Sequence, residues 1–449
     1  MNLFARNDKA TRAPALVEEA PVGKGIFPKG HVLGGKMGNE QRPLEGVKVV
    51  EMATFIAVPA VGRILADMGA EVIKIESSKG DNLRFTAPNE GRPSDPHEDT
   101  NFDLENANKK GIVLDLRVPK GKEVLFKLLD EADIFLTNWR PGALARQNLT
   151  YDELKDRYPG LIYASLTGYG EKGPDKDLPG FDYTAFFARS GWSGSLYQKG
   201  TVPSNLIPAL GDHQAALALT AGVLGALYRA EKTGRGEYVT TNLLHTGIWV
   251  QSFQIQGAQY GTEFNGVMYP FDRRENPLPY QPAVKTKDDR FLQVMGPNFH
   301  IYWPLIMRAI GREDVLEDPI MCDQKKIQDA GRIGEAYDIV QEGFQQKTAE
   351  EWIPILKELD IPYALCATYQ EVSKDEQAWA NDVFYEMDYP RGPKALVRTP
   401  INMETTPLPD YNKAPLLGED TEEVLTSLGY SKEEIQTMID EKVAQTWSE

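Results

Sequence analysis

"GVKVVEMATFIAVPAVGRILADMGAEVIKIE", residues Gly46–Glu76, decides the fold. Its opening, GVKVVEMA (Gly46–Ala53), is a short apolar run rich in valine and reads as a buried strand. In PAVGRILADMG, Pro59 fits the first turn of a helix, where its missing N–H has no partner to lose, and Gly69 ends that helix. AEVIKIE (Ala70–Glu76) is a second strand. Strand, one helix, strand is the unit of a parallel sheet, because parallel neighbours need a long crossover.

The same alternation continues downstream. KKGIVLDL (Lys109–Leu116) is a strand, GKEVLFKLLDEA (Gly121–Ala132) has helical spacing, and DIFLTNW (Asp133–Trp139) is a strand. YDELKDRYPG is a short helix with its stop, and LIYASLTGYG (Leu161–Gly170) is a further strand. The expectation is an α/β protein whose large, Rossmann-like parallel-sheet domain spans 44–240. DHQAALALTAGVLGALYRAEKTG (Asp212–Gly234) is apolar nearly all round and reads as a buried core helix, with Asp212 as N-cap and Gly234 as stop.

Past Gly261 the pattern changes. AVKTKDDRFLQVMG reads as an antiparallel hairpin turning at Asp288–Asp289, and helices follow over Trp303–Ile310 and Ala349–Leu359. This predicts a smaller α+β domain over 265–375. A Pro-rich crossover from Pro390 leads to a C-terminal segment, 390–449, that returns to the large domain. Its two helices carry capping-box spacing at Asp420 with Glu423 and at Ser431 with Glu434. Residues 1–43 show neither period and read as an N-terminal extension.

Bulk properties narrow the function. The 449 residues suffice for two or three domains, and 41% apolar with 26% charged residues is ordinary for a soluble protein. A net charge of −17 without a long basic run argues against nucleic acid or an anionic membrane as partner. No apolar run reaches membrane-spanning length, and no signal-peptide pattern opens the chain. Cys322 and Cys366 have no metal-ligand spacing and read as free thiols of a cytoplasmic protein.

Familiar catalytic motifs are missing. The first strand runs into TFIAVPAVGR rather than GxGxxG, and neither a Walker A sequence nor a GxSxG elbow occurs. The five histidines are scattered, so neither a metal site nor a Ser–His–Asp triad is supported. One carboxylate stands out. In GYGEKGPDKDLPGFDYTAFFARSGW (Gly168–Trp192), Asp182 follows a turn-rich loop and sits between Phe181 and Tyr183. These residues leave two readings open: a helix N-cap, and a carboxylate nucleophile partly dried by its aromatic neighbours.

Six stretches, in order, resemble the class III (formyl-CoA transferase-like) CoA-transferases. They are LEGVKVVEMATFIAVPAVGRILADMGAEVIKIE, NKKGIVLDL, ADIFLTNWRPGAL, LTGYGEKGPDKDLPGFDYTAFFARSG, EKTGRGEYV and APLLGEDTEEVLTSLGY. The loop GEKGPDKDLPGFDYTAFFAR is most similar to the branch acting on (R)-2-hydroxyisocaproate and (R)-phenyllactate. The resemblance implies that Asp182 is the nucleophile. It also implies that CoA thioesters are substrates, with no prosthetic group or metal, and that CoA lies along the strand C-termini. The implied CoA contacts are Phe55, Ile56, Ala57, Ser77, Leu114, Asn138, Arg140, Arg146, Thr167 and Tyr169. It further implies an interlocked homodimer, a 2-hydroxy acid as acceptor, and a 2-hydroxyacyl-CoA dehydratase as pathway neighbour.

Two departures from the family pattern are visible: Ser77 stands where a basic residue is usual, and Gly257–Pro282 has no run of consecutive glycines. The rival readings are a 2-methylacyl-CoA racemase of the same fold and a non-catalytic CoA-binding protein. The racemase needs a histidine upstream of the aspartate, and no histidine lies between His97 and His213.

Overall fold

The structure is a computed structural model that describes residues 41–260, 269–270, 272–407, 409 and 411–448. The N-terminal extension lies outside the described residues, apart from its last three, and so do 261–268 and 271 of the stretch Gly257–Pro282 that lacks a glycine run. Six strands run parallel: β1 (Lys48–Met52), β2 (Glu71–Glu76), β3 (Lys110–Leu114), β4 (Ile134–Thr137), β5 (Ile162–Thr167) and β6 (Tyr238–Asn242). Their spatial order is β3-β2-β1-β4-β5-β6, so the direction of winding reverses between β1 and β4. Open sheets of this order bind ligands at that reversal, beyond the strand C-termini.

Five helices bear on the site, directly or through the sheet: α1 (Ala57–Asp67), α2 (Thr100–Asn106), α3 (Pro119–Leu129), α4 (Leu210–Thr233) and α5 (Leu243–Val250). α1 and α4 cover one face of the sheet, where Val58, Val61 and Leu65 meet Ala215, Leu219 and Val223. α3 covers the other, with Val124, Leu125 and Leu128 against Ile73, Ile112 and Phe135. A three-stranded antiparallel sheet, β7 (Val284–Lys285), β8 (Phe291–Val294) and β9 (Tyr363–Leu365), has its own core around Trp303, Phe344 and Trp352. After the hairpin β10 (Phe384–Met387) and β11 (Lys394–Val397), the last strand, β12 (Ala444–Gln445), pairs antiparallel with β3.

Three local expectations are corrected. α4 begins earlier than expected. Ala209, in the left-handed region at φ +70°, precedes its first residue, so Asp212 lies inside the first turn rather than at the N-cap. α4 is also buried on one face only, with Ala218, Ala221, Gly225 and Tyr228 exposed on the other. Asp420 makes no cap with its side chain; its Oδ2 accepts the Gly111 N–H at 2.7 Å and ties the C-terminal helices to β3. The Ser431–Glu434 capping box forms as expected.

A buried charge network lies beneath the β1 terminus. The Glu51 carboxylate, fully buried, faces Lys74 at 3.1 Å and Lys109 at 2.7 Å. Lys74 also meets Asp81 at 3.0 Å, and Asp81 Oδ1 accepts the Phe55 N–H at 2.9 Å. Burial alone would lower the Lys74 ammonium, but Glu51, Asp81 and Glu76 together raise it. For Lys109 burial wins over Glu51, and the ammonium is lowered to about 8. Removing one partner of such a group strands the others in a dry interior. Glu51→Gln is therefore expected to lose about 3–5 kcal/mol of stability. A denaturant midpoint for Glu51→Gln within error of the wild type would contradict this.

Candidate active site

The loop from Gly168 to Gly180 closes on itself because two glycines meet back to back. A Cβ on Gly168 would lie 2.6 Å from the Gly180 Cα. Beyond this pinch the chain enters a π-helical segment, Asp182–Ala188, a geometry frequent at functional sites. The segment is seated by Phe186 and Phe187, both buried, with Phe186 pressed against Gly211 at the start of α4. A Cβ at Gly211 would fall 2.5 Å from the Phe186 ring, so only glycine lets α4 approach.

This seating puts Asp182 inside: the residue is 5% exposed. The expectation that its immediate neighbours dry it is corrected. Phe181 and Tyr183 are themselves 53% and 42% exposed at the rim of the same cavity. Burial comes instead with the packing of α4 and α5 on the Asp182–Ala188 segment. Asp182 Oδ1 accepts the Tyr183 N–H at 2.7 Å, and Oδ2 is buried without a partner among the described residues. Burial raises the carboxyl above the usual aspartate range, opposed by the Tyr183 and Ala209 N–H groups and by His213.

The cavity in front of Asp182 measures about 450 Å³ and lies at the sheet's winding reversal. Phe55, Ile56 and Ala57 form the wall after β1, Asn138 and Arg140 the wall after β4, and Thr167 the end of β5. Phe55 sits at φ +63°, a conformation uncommon for a bulky residue and held here by Asp81. Its ring meets Phe181 edge-on at 5.7 Å. Asn138 uses both ends of its amide on Thr54, accepting its N–H at 3.1 Å and donating to its carbonyl at 2.7 Å. It thereby fixes one loop to the other across the reversal.

Ser77 and Leu114 are elsewhere. They line a second cavity, about 290 Å³, along the C-terminal edge of β2 and β3, with Lys79, Arg117, Trp139 and Gln147. Lys79 brings positive charge near Ser77, while the Arg117 guanidinium is held by Asp115, which lines the same cavity together with Glu76. Arg146 and Tyr169 line neither cavity; Tyr169 packs on the core, with the Arg189 guanidinium 5.8 Å from its ring.

Three residues, Asp212, His213 and Glu105, escape a reading of the sequence alone. Asp212 lines the Asp182 cavity, and burial, Asp182 and, more weakly, Glu105 push its carboxyl up to about 7 against the pull of His213. His213 Nε2 lies 2.8 Å from Glu105 on α2. Burial lowers the imidazole, but Glu105, Asp212 and Asp182 together raise it. Helical position alone points Asp212 to a cap, and a histidine search upstream of Asp182 passes over His213.

A ligand cavity at the winding reversal of a doubly wound sheet, facing a dry carboxylate, defines an α/β protein that works on a small molecule at this edge. Comparison with known proteins narrows the class: residues 44–421 match the model of CoA-transferase family III, and the chain belongs to that family. It is 51% identical over 407 residues to the cinnamoyl-CoA:phenyllactate CoA-transferase of Clostridium sporogenes, covering 90% of this chain and 98% of that one. It is 43% identical over 403 residues to the (R)-2-hydroxy-4-methylpentanoate CoA-transferase of Clostridioides difficile, covering 90% and 99%. Among solved structures, a CaiB/BaiF family protein from Brucella suis superposes with a TM-score of 0.71 at 26% identity, covering 87% of this chain and all of that one.

The raised Asp182 carboxyl has a consequence for stability. A carboxyl with a higher pKa folded than unfolded (about 3.9) binds its proton more tightly in the folded state. Its ionisation therefore costs stability as pH rises through the folded pKa. Asp182→Asn is expected to be more stable than the wild type at pH 7, with the gap closing in acid as both become neutral. A less stable Asn variant at pH 7 by chemical denaturation would contradict this.

Proposed function

We propose that this protein transfers coenzyme A between an acyl-CoA donor and a 2-hydroxy acid of the phenyllactate or 2-hydroxyisocaproate type, with Asp182 as covalent carrier. The observation that carries the reading is a carboxylate 5% exposed, with one oxygen lacking a partner, facing a cavity at the sheet's winding reversal. Partial desolvation makes a carboxylate a better nucleophile. Asp182 attacks the thioester carbonyl, forms a mixed anhydride and displaces coenzyme A through its sulfur. That sulfur attacks the aspartyl carbonyl, giving an aspartyl-CoA thioester and the free donor acid. The acceptor carboxylate then runs the sequence in reverse. These steps use no redox group. Each passes through an oxyanion, and a preorganised N–H donor there contributes about 3 kcal/mol.

We assign the acyl and pantetheine ends of the substrate to the Asp182 cavity, and the nucleotide end to the second cavity, where Lys79 is the cation without an ion-pair partner among the described residues. The similarity to transferases of phenyllactate and (R)-2-hydroxy-4-methylpentanoate supports a 2-hydroxy acid as acceptor. The product, a 2-hydroxyacyl-CoA, is a substrate for a dehydratase, which makes that enzyme the natural neighbour. The free thiols of Cys322 and Cys366 fit a cytoplasmic setting. Ile248, Trp249, Val250 and Phe253 form an exposed apolar strip on and after α5, which supports burial against a second copy in an interlocked homodimer.

A 2-methylacyl-CoA racemase is the one rival with an observation in its favour, since His213 lies within electrostatic reach of Asp182. It would exchange the α-hydrogen of an acyl-CoA with D2O in the absence of acceptor; the transferase would not. With cinnamoyl-CoA and a panel of 2-hydroxy acids, the wild type is expected to form the acceptor CoA thioester. Asp182→Ala should bind cinnamoyl-CoA and lose turnover by at least about a thousandfold, roughly 4 kcal/mol in the barrier. Exchange by Asp182→Ala at near wild-type rate would refute the reading. Light scattering is expected to show a dimer, and Trp249→Glu with Phe253→Glu to shift it toward monomer. A wild-type monomer at micromolar concentration would refute the dimer.

A further inference from the structure

The carboxyl group beside Asp182 has no part in the covalent steps, yet its position gives it one. Asp212 stands in the first turn of α4 and lines the same cavity as Asp182. Among the described residues nothing hydrogen-bonds its carboxyl, so a proton there is not committed elsewhere. The buried Oδ2 of Asp182, a residue lining the same cavity, likewise has no hydrogen-bond partner among the described residues.

The other charged groups that face this point are each unsuited to moving a proton. Glu105, from α2, holds His213 Nε2 through Oε1 at 2.8 Å, so the proton of that pair is shared between the two. Glu90 accepts from Arg92 at 2.9 Å and from Asn101 at 2.6 Å. Arg140 does not give up its proton in a protein. Lys176 is exposed and sits in water.

We propose that Asp212 is the proton carrier for the sulfur of coenzyme A, a role that rests on Asp182 being the acyl carrier. In the first step the Asp182 oxygen bonds to the thioester carbon and the C–S bond breaks. The proton passes from Asp212 to the departing sulfur, leaving a thiol, the anhydride and an ionised Asp212. In the second step the thiol returns its proton to Asp212 as its sulfur bonds to the aspartyl carbon. The C–O bond of the anhydride breaks and the donor leaves as a carboxylate. One negative charge is present throughout; it moves from Asp182 to Asp212 and on to the departing acid.

The electrostatics supply the timing. Burial and the Asp182 charge hold the Asp212 proton, with its pKa at about 7. Acylation removes the Asp182 charge, so Asp212 becomes a stronger acid at the moment the departing sulfur, whose thiol has a pKa of about 8.5 or higher, takes up a proton.

The test uses the full-length chain, cinnamoyl-CoA as donor and phenyllactate as acceptor, with kcat measured from about pH 5 to about pH 9. Asp212→Asn is expected to bind cinnamoyl-CoA as the wild type does and to lose about 100-fold or more in kcat at neutral pH. It should also lose the alkaline fall of the wild-type profile, which reports deprotonation of Asp212. Asp212→Glu should restore that fall and part of the rate. The proposal is overturned by an Asn variant within about threefold of wild type, by a slow variant that keeps the alkaline fall, or by loss of cinnamoyl-CoA binding. Turnover by Asp182→Ala would sink the covalent mechanism itself, a separate outcome read in the same assay.

Discussion

The cavity wall depends on the Glu51 carboxylate and the two lysines that close on it. Glu51 is on β1, Lys74 on β2, and Lys109 leads into β3, so one buried anion links three strands at the edge where ligand would enter. α1 has room for that anion only because residue 62 is glycine; a Cβ there would fall 2.0 Å from Glu51 Oε2. Lys74 passes the constraint to Asp81, and Asp81 holds the N–H of Phe55 in its left-handed turn. Phe55 in turn meets Phe181, the residue before Asp182. Buried ion pairs contribute little net stability, but they fix geometry when every partner is satisfied.

Glu51 and Asp182 are two solutions to burying a carboxylate. Glu51 is neutralised by two ammonium groups and is chemically quiet. Asp182 has N–H dipoles in place of a cation, and one of its oxygens is buried without a hydrogen-bond partner among the described residues. Partial compensation keeps the second carboxylate high in energy beside the cavity, which is what a nucleophile requires. Asp212 sits beside it under the same desolvation, and the two cannot both ionise at low cost.

The parallel sheet was legible because Gly46–Glu76 combines apolar strands with a helix bounded by Pro59 and Gly69. Local pattern carries that information. Asp182 was legible as an acid at a loop-to-helix junction, and similarity in the loop before it raised its interest. The source of its burial was not, because α4 and α5 lie more than 20 residues downstream and meet it only through tertiary packing such as that of Gly211 on Phe186. Asp212 was misread for a related reason. Cap preference is a local signal, and it gives no sign of the left-handed Ala209 that precedes α4. Asn138 lines the cavity, but spacing gave no sign that its amide is spent on Thr54.

The central claim is that Asp182 becomes covalently attached to substrate. The direct measurement is peptide mapping by mass spectrometry after mixing the wild type with cinnamoyl-CoA and trapping with hydroxylamine or borohydride. The account predicts modification of a single peptide, with the mass change on Asp182. Label on Asp175, Asp177 or Asp212 instead, or an unmodified Asp182 in enzyme that is turning over, would contradict it.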